Sequence, residues 1–285
     1  MVNNLRNMVK SATGYPVKST TTLHGGCIGE VYRLTLENDK SVVVKVDQGR
    51  NPKLDIEGYM LQYLKDHSKL PVPDIIHNSP SLLIMSFLEG KSQFPINAEK
   101  HAAKLLAELH QIKGQAFGLE KPTLIGGLHQ PNSWNNSWIS FFTEQRLLYM
   151  AQEAVRERRM PKSLYSRIET FTNNIEDFIQ EPSFPVLLHG DVWTTNVLAM
   201  NNKITGFLDP AIYYGHPEIE LAFITLFSTF GQAFFEQYEE LNPIEPGFFD
   251  VRRNIYNLYP LLVHVRLFGS SYLTSVERTI GSLNF

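Results

Sequence analysis

The strongest constraint on this chain is a change of hydrophobic period near residue 90. Before it, apolar residues alternate or cluster in short β-branched runs; after it, they recur at three- and four-residue spacing. From Thr20 to Asp47 the chain reads as a hairpin, VYRLTLE and SVVVKVD joined at Asn38-Asp39. Residues 55–66 switch to helical spacing, and Ile75-Ile76 and SLLIMSFLEG return to strands, so residues 1–90 are expected to form a small β-rich lobe with one helix. Residues 91–285 are expected to be mainly helical, with helices in HAAKLLAELHQI, at about 135–158 and 162–180, and after Glu218. A hairpin in FPVLLHGDVWTTNVLAMNNKITGFLDPA, turning at Asn201-Asn202, interrupts them. The fold class is therefore α+β.

Composition narrows the function. Lys plus Arg is 26 against 29 for Asp plus Glu, a net charge of −3 that gives no broad grip on phosphate backbones, so no nucleic-acid partner is expected. One cysteine, Cys27, excludes an intrachain disulfide and a multi-cysteine zinc site and fits a reducing, cytoplasmic setting. The amino terminus lacks an apolar signal core. The most apolar uncharged stretch, Leu221 to Phe235, has 15 residues, too few to span a bilayer, so no membrane role is expected.

The string His189-Gly190-Asp191-Val192-Trp193-Thr194-Thr195-Asn196, followed after a hairpin by Phe207-Leu208-Asp209-Pro210, carries the chemistry. Phosphoryl transfer needs a carboxylate at the attacking hydroxyl and hard oxygen donors that hold Mg²⁺ on the nucleotide phosphates. Asp191 reads as the base, Asn196 and Asp209 as the metal ligands. Lys45 lies in the apolar strand VVVKVD, where an unpaired ammonium is costly, and Glu57 on the following helix supplies a partner. Between the first strands, HGGCIGEVY offers backbone amides to phosphates through Gly26, Cys27 and Gly29.

With these residues in place the chain resembles the fructosamine kinases (ketosamine 3-kinases), within the aminoglycoside-phosphotransferase-like and protein-kinase-like folds. Lys45, Glu57, HGDVWTTN and the aspartate of FLDPA are the general kinase parts. GGCIGEVY, GGLHQPNSWNNSWISFF, Trp193, DPAIYYGHPEIELA and LYPLLVHVRLFGSSY carry the specific resemblance, which covers nearly the whole chain. It implies a bilobal enzyme with ATP and Mg²⁺ between an N-terminal lobe (1–90) and a C-terminal lobe (91–285). Ser86, Phe87 and Leu88, in a linker at about 85–90, would hold adenine through their backbone. It further implies transfer of the γ-phosphoryl group to the 3-hydroxyl of a ketoamine, free or protein-bound, whose product eliminates and frees the amine, a repair of glycation. DPAIYY in place of DFG argues against a phosphorylation-switched activation segment.

Trp193, two residues from the base, presents a flat face to the sugar or to the amine cation, or else lies in the core under its loop. His216 either contacts substrate or bonds to neighbouring backbone; the substrate role is carried forward. Trp134, Trp138, His264 and the stripe Phe223, Phe227, Phe230, Phe234 read as packing. Rival readings are an aminoglycoside, choline or thiosugar kinase on the same fold and a nucleotide-binding pseudokinase scaffold. The chain is expected to be a monomer, or a dimer linked by oxidation of Cys27 in the phosphate-covering turn.

Overall fold

The computed structural model describes residues 2–23 and 29–285. β1 (Val17–Leu23), β2 (Glu30–Leu36), β3 (Ser41–Val46), β4 (Ile75–Ser79) and β5 (Leu82–Ser86) form one antiparallel sheet in the order β1-β2-β3-β5-β4. Alternation along the strands sends side chains to two faces. Val42, Val44, Leu82 and Ile84 pack with Leu34 and Leu36 under α1 (Val2–Thr13), which contributes Leu5 and Val9. The residues between them, Val43, Leu83 and Met85, face α2 (Leu54–His67) and its Leu54, Met60, Leu61 and Leu64. Each fully buried Val or Leu contributes about 1.5–3 kcal/mol, so both helices are held by the sheet. Lys45 follows Val44 on β3 and shares the α2 face, which is what brings it to Glu57.

The rest of the chain is mainly helical: α3 (Ile96–Leu109), α4 (Trp138–Phe142), a π-helical turn Thr143–Leu148, α5 (Tyr149–Arg156), α6 (Lys162–Thr172), α7 (Pro217–Leu226), α8 (Gln232–Leu241), α9 (Arg253–Phe268) and α10 (Leu273–Ser282). α9 forms the axis of this part: Ile255 through Arg266 are all buried, against α5, α7 and α10. Three short ribbons lie among the helices: β6 (Thr123–Ile125) with β7 (Leu128–Gln130), β8 (Val186–Leu188) with β11 (Tyr213–Gly215), and β9 (Val197–Met200) with β10 (Lys203–Phe207). Asn201 and Asn202 both have positive φ, 51° and 63°, the type I′ turn that a two-residue hairpin of this composition favours. Among the described residues no helix is long and apolar enough to cross a membrane.

α1, the β6–β7 ribbon and β11 have no counterpart in the sequence reading. In α1, Val2, Leu5, Met8, Val9 and Ala12 recur at helical spacing, a pattern that the sequence carried and the expectation of a β-rich lobe passed over. The β6–β7 ribbon has strands of three residues, too short to show a period.

Candidate active site

β8 delivers the chain to His189, Gly190 and Asp191. Gly190 has φ +84°, and a Cβ there would lie 2.1 Å from Ala211 O, so only glycine lets the two segments meet. From behind, Glu220 of α7 accepts hydrogen bonds from Gly190 N (2.6 Å) and His110 Nε2 (2.9 Å). Burial opposes its charge, but these bonds hold its carboxyl below the usual range. The loop then closes on itself: Asn196 N donates to Trp193 O (2.9 Å) and Asn196 Nδ2 to Asp191 Oδ2 (2.8 Å). Burial, reinforced by the Asp209 charge, pushes Asp191 up to about 8 against the Asn196 bond. A carboxyl poised near neutral pH is what a general base requires.

Asp209 follows β10 with φ +50°, a left-handed backbone that is rare outside glycine. Lys45 Nζ lies 2.5 Å from Asp209 Oδ1 and 2.7 Å from Glu57 Oε1, joining the sheet, α2 and the catalytic ribbons. Burial alone would lower the lysine; the Asp209 and Glu57 carboxylates outweigh it and keep the ammonium charged. Burial opposes ionisation of Asp209 too, and the Lys45 ammonium overcomes this and holds its carboxyl down. α2 is fastened so that Glu57 stays in reach: Tyr59 OH donates to Glu120 Oε1 (2.9 Å), and the Tyr63 and Tyr214 hydroxyls are 3.1 Å apart.

For a metal ion the donor chemistry fits. Asp209 offers carboxylate oxygens, and Asn196, whose amide nitrogen is spent on Asp191, has an amide oxygen that accepts only a long bond from Thr195 Oγ1 (3.5 Å) and keeps a lone pair for a cation. No cluster of three or more His, Cys, Asp or Glu that could hold a metal ion occurs among the described residues. Gly29 has φ +70°, with a would-be Cβ 2.3 Å from Val46 O, so the end of the proposed phosphate turn lies directly against β3. Gly26 and Cys27 lie outside the described residues, and with them the redox link. Of the linker residues, Ser86 N and Phe87 N are engaged by Asp74 O and Ser41 O, and Leu88 packs against Gly206 of β10.

Trp193 is half-buried with its ring 5.5 Å from Phe227, which lies 5.0 Å from His264. Phe227 is half-buried and packs edge-on against Phe223 (5.8 Å between ring centroids) as well as meeting Trp193, while Phe223, Phe230 and Phe234 are core. His264 is buried, its Nδ1 donating to Pro260 O (2.7 Å). Trp138 is core, but Trp134 is 42% exposed, which corrects its assignment to packing. His216 is also corrected. Gly215 pairs with Val186, so His216 lies at the far end of the β8–β11 ribbon, with roughly 13 Å of strand between Pro185 and His189. There its Nδ1 accepts from Glu218 N and caps α7, its ring packs on Trp138 and Tyr256, and it lines a cleft of about 590 Å³ with Glu218 and Arg252. It is separated from Asp191, and no substrate role is retained. His110 and Glu220 were missed, although a carboxylate inside the apolar helix ELAFITL is a signal that something buried pairs with it.

Comparison with known proteins agrees with this geometry. A family model described as fructosamine kinase matches residues 1–284. A probable ketoamine kinase from Synechocystis sp. is 31% identical over 290 residues, covering 97% of this chain and 94% of the relative. A chloroplastic protein-ribulosamine 3-kinase from Oryza sativa is 30% identical, covering 93% and 78%. Among solved structures, a fructosamine-3-kinase from Thermobifida fusca superposes with a TM-score of 0.88 at 27% identity over 98% of both chains. An aminoglycoside phosphotransferase in complex with ADP and hygromycin B, at TM-score 0.66 and 18% identity over 98% of this chain and 96% of its own, shares the fold alone. With its Lys45–Glu57–Asp209 cluster set against the Asp191 loop and a family match running nearly end to end, the chain belongs to the fructosamine kinase family.

Proposed function

We propose that this chain transfers the γ-phosphoryl group of Mg-ATP to the 3-hydroxyl of a ketoamine. The observation that carries the reading is the convergence of the Asp191–Asn196 loop, through the Leu208 N to Asn196 O bond, with the Lys45–Glu57–Asp209 cluster contributed from both parts of the chain. Such a site works by positioning and charge neutralisation. Lys45, held charged, meets the α- and β-phosphates. Asn196 and Asp209 would hold Mg²⁺, which when bound would supply charge neutralisation at the phosphates. Asp191 orients the sugar hydroxyl and takes its proton, and the bound cation would draw its pKa down toward the working range. Leu88 of the linker offers main chain to adenine, since the amides of Ser86 and Phe87 are already engaged. Trp193 and Phe227 form the acceptor wall, where an indole face suits a ketoamine's ammonium.

Release of the free amine from the 3-phosphate makes the reaction a deglycation step, and the reducing setting inferred from the single cysteine suits cytoplasmic repair. The test is ATP turnover on fructosamine, ribulosamine and erythrulosamine derivatives and on an aminoglycoside, with and without Mg²⁺. Turnover on at least one ketoamine, dependent on Mg²⁺, is expected. Turnover confined to the aminoglycoside, or none with any acceptor, would overturn the reading.

A further inference from the structure

Behind Asp209 lies a chain of buried polar side chains that takes no part in the chemistry above. Thr123 and Gln130 are on β6 and β7, Asn132 just beyond, Arg146 in the π-helical turn and Tyr259 on α9; none is more than 3% exposed. No carboxylate pairs with Arg146 among the described residues. Its guanidinium lies over the rings of Tyr213 (4.0 Å) and Phe141 (4.5 Å) and donates to Pro131 O (2.6 Å) and Gln145 O (3.0 Å). A π turn is wider than an α turn and recurs at functional sites.

The donors and acceptors leave one consistent direction. A guanidinium only donates, so Arg146 Nη2 meets the amide oxygen of Asn132 (2.7 Å), which turns Asn132 Nδ2 toward Thr123 Oγ1 (2.8 Å). Gln130 Nε2 donates to the same hydroxyl (2.8 Å). With both its lone pairs occupied, Thr123 Oγ1 donates to Ile212 O, 3.3 Å away. Gln130 Nε2 also donates to Ala211 O (3.0 Å), while Gln130 Oε1 accepts from Tyr259 OH (2.5 Å). One path of donors therefore runs from Arg146 through Asn132 and Thr123 to Ile212 O, and a second links Tyr259 through Gln130 to Ala211 O, while Arg146 Nη1 and Asn132 Nδ2 also anchor to the carbonyls of Pro131, Gln145 and Lys121. Hydrogen bonds so aligned polarise and strengthen one another in a dry interior.

Asp209 needs such a hold. A non-glycine residue at φ +50° persists only where its surroundings over-determine it. From the catalytic loop, Leu208 N donates to Asn196 O and Ala211 N to His189 O, both at 2.8 Å. The opposite side is gripped by Gln130 and Thr123. We infer that Gln130 and Thr123 are positioning residues that set the Asp209 carboxylate for the metal-bound nucleotide, with Asn132, Arg146 and Tyr259 orienting them. The inference rests on the reading of Asp209 as a metal ligand. It gives the tract GGLHQPN a role: it supplies Gln130 and Asn132 to a segment that has no activation loop to order.

The test compares binding of ADP alone with binding of ADP plus Mn²⁺, by calorimetry and by the Mn²⁺ paramagnetic resonance signal, in wild type, Gln130→Leu, Thr123→Val and Asp209→Ala. Gln130→Leu and Thr123→Val are expected to bind ADP alone as wild type does and Mn²⁺–ADP about 10-fold more weakly, the scale of one lost buried hydrogen bond. Their kcat should fall while the KM for ketoamine holds. Gln130→Leu strands two buried partners, so Thr123→Val, nearly isosteric, decides the matter if the first does not fold. If Asp209→Ala loses the Mn²⁺-dependent affinity while Gln130→Leu and Thr123→Val keep it and lose only thermal stability, the positioning role is overturned. If Asp209→Ala itself binds Mn²⁺–ADP normally, the ligand reading of Asp209 falls first, and the inference with it.

Discussion

At position 191 a single carboxyl group trades stability for chemistry. Burial, with the Asp209 charge, lifts it from its ordinary 3.8 to about 8, so the folded site without nucleotide favours the protonated acid. A group whose folded pKa is raised contributes stability that is full below its unfolded value, about pH 4, and is lost as pH rises through 8. Asparagine carries no such dependence. Asp191→Asn should therefore lower turnover by about 100-fold or more, yet raise the melting temperature at pH 8 relative to wild type and not at pH 4. Turnover within tenfold of wild type would remove Asp191 from the base position, and a thermal gain independent of pH would contradict the burial account. At Trp193 the expectation is a split: Trp193→Ala raises the KM for ketoamine about 10-fold, the size of one good cation–π contact, and leaves that for ATP unchanged. Steady-state kinetics with each substrate varied in turn checks it, and equal effects on both would return the indole to the core. Residue type made Asp191, Asn196, Asp209 and Lys45 legible, because carboxylates, amides and a strand lysine at that spacing have few other uses. Phe227 was legible as a packing residue, and it does pack on Phe223; its meeting with Trp193 was not, because that contact joins two segments distant in sequence.

At the scale of elements, β3 shows how a two-residue period turns into a site. Val42 and Val44 bury under α1, Val43 against α2, and Lys45 lies on the face where α2 presents Glu57. That pattern was readable. The approach of Gly29 to β3 was not, because it depends on Val46 O lying 2.3 Å from where a Cβ would stand. Gly29→Ala adds a methyl group against main chain at φ +70° and is expected to destabilise the protein by about 2 kcal/mol or more. Urea denaturation measures this, and a loss under about 0.5 kcal/mol, the range of ordinary surface changes, would show that the turn can relax. α1 was readable by contrast: Val2, Leu5, Met8, Val9 and Ala12 lie at helical spacing, and only the sheet that receives Leu5 and Val9 was beyond the sequence.

Across the whole molecule, two histidines withdrawn from water set the acid limit, His189 fully buried and His216 half-buried at the edge of its cleft. Burial lowers His189 to about 4 and His216 to about 3, the His216 shift reinforced by Arg252 and the His189 shift opposed by Glu220. With folded values below the unfolded 6.5, their contribution is intact above that pH and drains away as pH falls, because the unfolded chain takes up protons that the folded chain refuses. Two such groups give a slope of up to about 2.7 kcal/mol per pH unit between pH 6 and 5. His216→Asn, which can still cap α7, should flatten this slope by about half in urea denaturation at pH 7, 6 and 5; an unchanged slope would show that His216 is not buried neutral. By itself the sequence determined which residue types carry the chemistry, their order along the chain and the elements that bear them, because motif spacing and hydrophobic period are local properties. Only the tertiary structure decided which of them meet. Lys45 reaches Asp209 across 164 positions of sequence. His216, just seven residues beyond Asp209, is carried away from the base by β11 running antiparallel to β8, and Gln130 comes to Ala211 O through a ribbon too short to be seen in advance. Such meetings depend on chain direction and long-range pairing, which no local window of residues contains.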